Sequence, residues 1–160
     1  MKKYKGSALV YVIVALVFAT ILGVSIATMT QNNILQARHQ KENREGYYLA
    51  RSGAELMYEH LKSNNLMSGF INSNTISGAE FTDYEFSEEM SGKVDVAVSA
   101  VQVAGGSLNK IVTIESKAKL DNTPNEELLK LRFELVISQE GSNASTRKID
   151  SIKDFKWLRQ

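Results

Sequence analysis

The sequence predicts an α+β fold, with one long N-terminal helix packed on a C-terminal antiparallel β-sheet. The helix is apolar and membrane-compatible in its first half and amphipathic in its distal half. Three observations carry this reading. An uncharged apolar run follows a short basic leader. Helix-forming sequence then continues without proline as far as Asn64-Asn65. Beyond that point the apolar period drops to two, in segments parted by turn residues.

The leader spans residues 1–6 and carries Lys2, Lys3 and Lys5. Over the 160 residues the formal net charge is +1; with those three lysines set aside, 16 basic side chains face 18 acidic ones. The basic character therefore belongs to the extreme N-terminus, and the near-neutral remainder argues against a general nucleic-acid binder. The chain has no cysteine, which excludes disulfides, Cys-ligated zinc and a thiol nucleophile.

Residues 7–29 form the apolar helix, SALVYVIVALVFATILGVSIATM, and no charge appears before Arg38. A bilayer needs roughly 20 apolar residues. Ser and Thr hydroxyls bond back to their own helix, and Tyr11 lies near the interface. The leader lysines place the N-terminus on the cytoplasmic side. Three fates are open to such a segment. It is an uncut signal anchor, a signal peptide cut near Ser25-Ile26-Ala27, or a helix retained after cleavage on the cytoplasmic side, behind Gly6.

Residues 30–64 continue the helix, with Gly46 and Gly53 as weak breakers. Gln36 to Gly46 is polar all round, as expected of an exposed stalk or of a helix that bundles with partners. Ala50, Ala54, Met57 and Leu61 then repeat on one face, which we expect to pack on the sheet, flanked by Tyr47 and Tyr58. Arg51, Glu55, Glu59 and Lys62 fall on another face at ion-pair spacing. At 1.5 Å per residue, Ser7 to Ser63 makes a helix of roughly 85 Å.

Residues 65–160 read as an antiparallel-sheet globular domain. Ser63 to Ser91 is loop-rich, with a short strand near Asp83–Phe86. Val94, Val96 and Val98 alternate with polar or small residues, and the odd positions of Val101 and Val103 imply a bulge near Ala100. Turn residues 104–107 and 121–125 bound a strand containing Val112, Ile114, Ala118 and Leu120. Leu129, Leu131, Phe133, Leu135 and Ile137 make the clearest strand. Ile149, Ile152, Phe155 and Trp157 fit a final edge strand. Short turns between the strands imply a meander.

The order of a basic leader ending in Gly6, an apolar helix starting at Ser7, its continuation past a membrane and a following sheet resembles the type IV pilins and pseudopilins. The segment Tyr48-Leu49-Ala50-Arg51-Ser52-Gly53-Ala54-Glu55 is similar to the Ala-Glu-containing stretch of one minor-pilin subgroup. That subgroup lacks the glutamate five residues after the cleavage site. The resemblance implies that prepilin peptidase cuts after Gly6 and exposes the Ser7 amine. It implies that the helix holds the subunit in the cytoplasmic membrane as a single pass with its N-terminus inside. A membrane assembly platform then moves it into an extracellular filament, where N-terminal helices of other pilin subunits surround it. Ala15, Ala19, Gly23, Ser25 and Ala27 are small enough for close helix approach.

This sequence departs from the family at three points. Tyr11 stands at the fifth mature position, where major pilins carry the glutamate that meets a neighbour's N-terminal ammonium. A lone charge in an apolar core is costly, so a chain that cannot return the carboxylate suits the filament tip. Tyr11 also reads as an ordinary interfacial aromatic. Ser7 replaces the usual Phe, and the mid-helix proline of many major pilins is missing.

Other chemistry finds little support. His39 and His60 lie about six helical turns apart, too far to share a metal. No nucleophilic triad and no phosphate-binding glycine loop is present. Asp121, Thr123 and Asn125 begin like a calcium loop, but Pro124, Glu126 and Arg132 stand at positions that break it. Asn143-Ala144-Ser145 is a chance-level glycosylation triplet. The basic residues of the last strand read as a solvated sheet edge. The expectation is a structural and assembly subunit, a minor pilin of a type IV pilus placed at its tip, and no enzyme. No cofactor, metal, nucleic acid or small-molecule substrate is expected. The alternatives are a pseudopilin of a type II secretion or DNA-uptake system, and a membrane-anchored or secreted binding module that forms no filament.

Overall fold

A computed structural model of the chain describes residues 5–86, 92–105, 107–121, 123–124, 126–141 and 144–159. The leader lysines Lys2 and Lys3 lie outside them, as do Asn125 and Asn143. One helix, α1, runs Lys5–Ser63. It is followed by a short 3₁₀ turn, Leu66–Ile71, and five strands: β1 Glu80–Tyr84, β2 Gly92–Gln102, β3 Lys110–Leu120, β4 Glu126–Gln139 and β5 Arg147–Arg159. The chain divides into two compact units, Met1–Lys41 and Glu42–Gln160.

Within the second unit the sheet is an antiparallel meander in the order β1-β2-β3-β4-β5. Its inner face carries Val94, Val96, Val98, Val112, Ile114, Leu131, Phe133 and Leu135, all buried. The period-two alternation explains this, because successive strand side chains point to opposite faces. The distal part of α1 covers that face and closes a two-layer core.

The helix stops where Asn64 and Asn65 stand. Asn65 takes a left-handed conformation, φ 53°, which asparagine tolerates better than most residues. The Asn64 amide side chain donates to the carbonyl of His60 at 3.1 Å and satisfies a helix-end acceptor.

The structure corrects three expectations. The 3₁₀ turn Leu66–Ile71 lies in a stretch read only as loop, and it buries Met67 and Phe70. The first strand is Glu80–Tyr84, earlier than the expected Asp83–Phe86. No bulge occurs at Ala100: β2 pairs with β3 without interruption from Gly92 to Gln102. Ala100 keeps the inward phase, and Val101 points outward, 64% exposed. A valine on the solvent side mimicked a change of phase.

The irregularities lie in the two edge strands. β5 carries two extra residues relative to β4, one between the partners of Val136 and Ile137 and one between those of Arg132 and Glu134. The spacing Ile149, Ile152, Phe155, Trp157 follows from this. Each three-residue step contains a bulge, which returns the next apolar side chain to the inner face. β1 carries a similar shift between Phe81 and Tyr84. The residues in left-handed backbone there are both aspartates, Asp83 (φ 53°) and Asp154 (φ 55°).

Candidate functional site

The first candidate is the apolar stretch of α1. The helix is long and apolar enough to cross a membrane, with a mean hydropathy of 2.7 in its most apolar window. Its large side chains face outward, from Leu9, Val12 and Leu16 to Ile26 and Met29. The hydroxyls within it are satisfied by the helix itself. Thr20 donates to the carbonyl of Val17, Ser25 to that of Ile21, and Thr28 to that of Val24, at 2.8 to 2.9 Å. Such bonds let Ser and Thr sit in hydrocarbon at low cost. Tyr11 differs: it is 75% exposed, and its phenol is too long to fold back onto the preceding turn. Lys5, Gly6 and Ser7 belong to α1 by their backbone. Among the described residues, nothing lies within 4 Å of a Cβ added to Gly23.

The second candidate is the seat of the distal helix on the sheet. Ala50, Ala54, Met57 and Leu61 are fully buried, and Leu49 joins them. Gly46 and Gly53, which read as weak breakers, are buried contact points in the same stripe. A Cβ on Gly53 would fall 2.5 Å from Val94 Cγ1 and 2.7 Å from Ser116 Oγ. The helix backbone therefore lies directly on β2 and β3. Gly92 meets the helix from the other side, where a Cβ would be 2.8 Å from Leu49 Cδ2. Glycine in a helix normally costs about 1 kcal/mol, and the close approach offsets that here. Sequence reasoning missed this role, although Gly46, Ala50, Gly53, Ala54 and Met57 share one spacing.

Polar groups are arranged around this core in three places. On the outer face, Asp83, Asp95, Asp121 and Glu126 line a shallow cleft with Lys93, Lys117 and Lys119. Lys117 pairs with Glu126 at 2.5 Å. Hydrogen bonding to Glu126, aided by its charge, holds Lys117 above the ordinary lysine range, and Glu85 does the same for Lys93. Glu126, one of the residues that break the calcium-loop pattern, is thus engaged by a lysine. Among the described residues, no group of three or more His, Asp or Glu is placed to hold a metal.

Near the start of the second unit, Asn43, Arg44, Tyr47, Tyr48 and Arg159 line a second cleft. Arg159 lies over the Tyr47 ring and pairs with Glu127. Arg51 lies over Trp157 and bonds Glu55 at 2.8 Å. The third place is Lys110, a buried cation at the start of β3. Its Nζ donates to the Ser73 carbonyl at 2.8 Å and to Asn74 Oδ1 at 3.1 Å. Burial lowers its pKa, and Arg147 adds to the shift. His60 is half-buried against Phe81, with ring centroids 5.5 Å apart.

Comparisons with family models, characterised proteins and solved structures return no match for this chain. The structure carries the coarser statement on its own. This is an α+β chain whose single long helix begins in a membrane-compatible segment and ends seated on an antiparallel sheet, the general architecture of the pilins it resembles.

Proposed function

We propose that this chain is a minor pilin, a membrane-held precursor cut behind Gly6 and packed through its apolar helix into a type IV pilus. One observation carries the reading. The same helix that holds the outward-facing apolar run also supplies the stripe Leu49–Leu61 that completes the core of the globular unit. A signal peptide ahead of a secreted domain needs no such continuity, because the domain must fold after the peptide is removed. A retained helix that serves two packings does need it.

The apolar surface suits two successive environments. Lipid covers it first; neighbouring helices cover it afterwards, with Gly23 and nearby alanines allowing close approach. The back-bonded hydroxyls tolerate both. Tyr11 supports a place at the filament end: without a carboxylate at that position the subunit cannot neutralise a neighbour's ammonium, and the end of a filament is where that lack costs least.

The test is the mature N-terminus, read by intact mass and N-terminal sequencing from the native membrane, with and without prepilin peptidase. A peptidase-dependent start at Ser7 is the expected result. A start near Thr28 makes the product a secreted domain, and an uncut Met1 makes it a simple anchor; either rejects the pilin reading.

A further inference from the structure

The two edges of the sheet carry opposite charge. Residues 80–85, covering β1 and the residue after it, contain Glu80, Asp83 and Glu85 and no basic side chain. β5 at the other edge holds five basic residues against two aspartates. Part of this charge is met inside the chain. Lys93 reaches Glu85 at 3.3 Å and Asp83 at 3.9 Å, Glu140 takes Lys148, and Glu127 takes Arg159. Glu80 on one side and Lys153 and Lys156 on the other are exposed and form no ion pair among the described residues. Each edge also exposes large apolar groups: Tyr84 beside the acids, 40% exposed, and Phe155 and Leu158 among the lysines, 49% and 42%.

Charges on sheet edges commonly prevent strands from adding to one another, and the bulges in β1 and β5 serve that end. Yet edges of one sign would repel every approach. Opposite signs repel like edges and attract unlike ones. We propose that the β1 edge of one copy of this chain docks side chain to side chain against the β5 edge of a second copy. The contact is head-to-tail, Glu80 facing Lys153 and Lys156 on the outer side of the sheet, with Tyr84 against Phe155 on the inner side. The chain's own complementary edge fits both the charge and the apolar residues, which names a second copy as the occupant. A heterologous contact of this kind repeats without closing or closes into a ring. The proposal concerns the globular unit alone and does not rest on the pilin reading. Copies joined in this way at one end of a filament satisfy both.

Cysteine cross-linking tests it, and the chain's lack of cysteine gives a clean background. In one molecule the two edges lie four strand spacings apart, about 19 Å, far beyond the ~7 Å limit between Cα atoms for a disulfide. Any link between them therefore joins two molecules. Full-length T82C and S151C chains, which keep Glu80, Lys153 and Lys156, are purified in detergent micelles, mixed and mildly oxidised. The expected result is a several-fold excess of the mixed disulfide over both like-with-like products, lost in molar salt. Adding Lys153→Glu to the S151C chain should abolish the excess. Random pairing, or an excess indifferent to salt and to Lys153→Glu, overturns the proposal. A mature N-terminus other than Ser7 would reject the pilin reading and leave this contact standing.

Discussion

Gly53 packs closely over Val94 and Ser116. The Ser116 hydroxyl is buried with no hydrogen-bond partner among the described residues, directly beneath the Gly53 backbone. An orphan buried hydroxyl costs about 1–3 kcal/mol, so Ser116→Ala should leave the fold intact and raise its denaturation midpoint. Gly53→Ala should act in the opposite direction. Its new methyl meets a stiff β-branched valine, and overpacking of this kind costs about 1–3 kcal/mol. Chemical denaturation of the two variants checks both signs. Lys110 yields a prediction in pH. Its folded pKa lies below the ordinary 10.5, so in the window between the two values the unfolded chain binds more protons. Stability contributed by this group therefore rises as pH climbs toward 10.5 and is lost as pH falls through the folded value. Lys110→Met should flatten that rise relative to the parent in denaturant midpoints measured across the alkaline range.

Edge strands and interior strands follow different rules in this sheet. β2, β3 and most of β4 keep strict alternation because both neighbours hold their register. β5 has one neighbour, and its two extra residues are accommodated by bulging outward. Asp154 takes a left-handed backbone at one of these bulges, a conformation that costs most residues about 1–2 kcal/mol. Asp154→Gly should be neutral or slightly stabilising, whereas Asp154→Val should lower stability by that amount and disturb the Phe155 ring, which stacks on Phe133 at 5.4 Å. Near-ultraviolet circular dichroism and thermal midpoints of the pair separate the backbone effect from the loss of charge. At the end of α1 the same logic applies to Asn65, where glycine should be tolerated and a β-branched residue should not.

At the scale of the whole molecule, the buried hydrophobic cluster of the described residues lies entirely in the second unit. The buried cluster begins at Leu49 and ends at Ile137. A chain starting at Glu42 should therefore fold by itself as a water-soluble domain, with cooperative unfolding and slow amide exchange in β2, β3 and β4. The full chain should need detergent, because the large apolar side chains between Leu9 and Met29 are exposed. Failure of the shorter chain to fold would mean that the apolar segment contributes to the core. The whole-molecule charge pattern points the same way, since the leader lysines balance an otherwise slightly acidic domain.

Periodicity and charge determined much about this protein from the sequence alone. The long helix, its uncharged first part, its stop at two asparagines and the meander were all legible, because each depends on near neighbours along the chain. The stripe Ala50–Leu61 was legible for the same reason. Only the tertiary structure decided which side of β2 Val101 takes, since a lone valine carries no mark of its face. It also decided that Gly46 and Gly53 are contacts and not breaks, because the reason for a missing side chain is the strand lying opposite. The bulges that gather Ile149, Ile152, Phe155 and Trp157 on one face depend on the register of β4. The placing of an acidic strand and a basic strand at opposite edges depends on the strand order, which leaves β1 and β5 outermost. Local order follows from what each residue prefers; which residues face each other is set by closing the sheet beneath the helix.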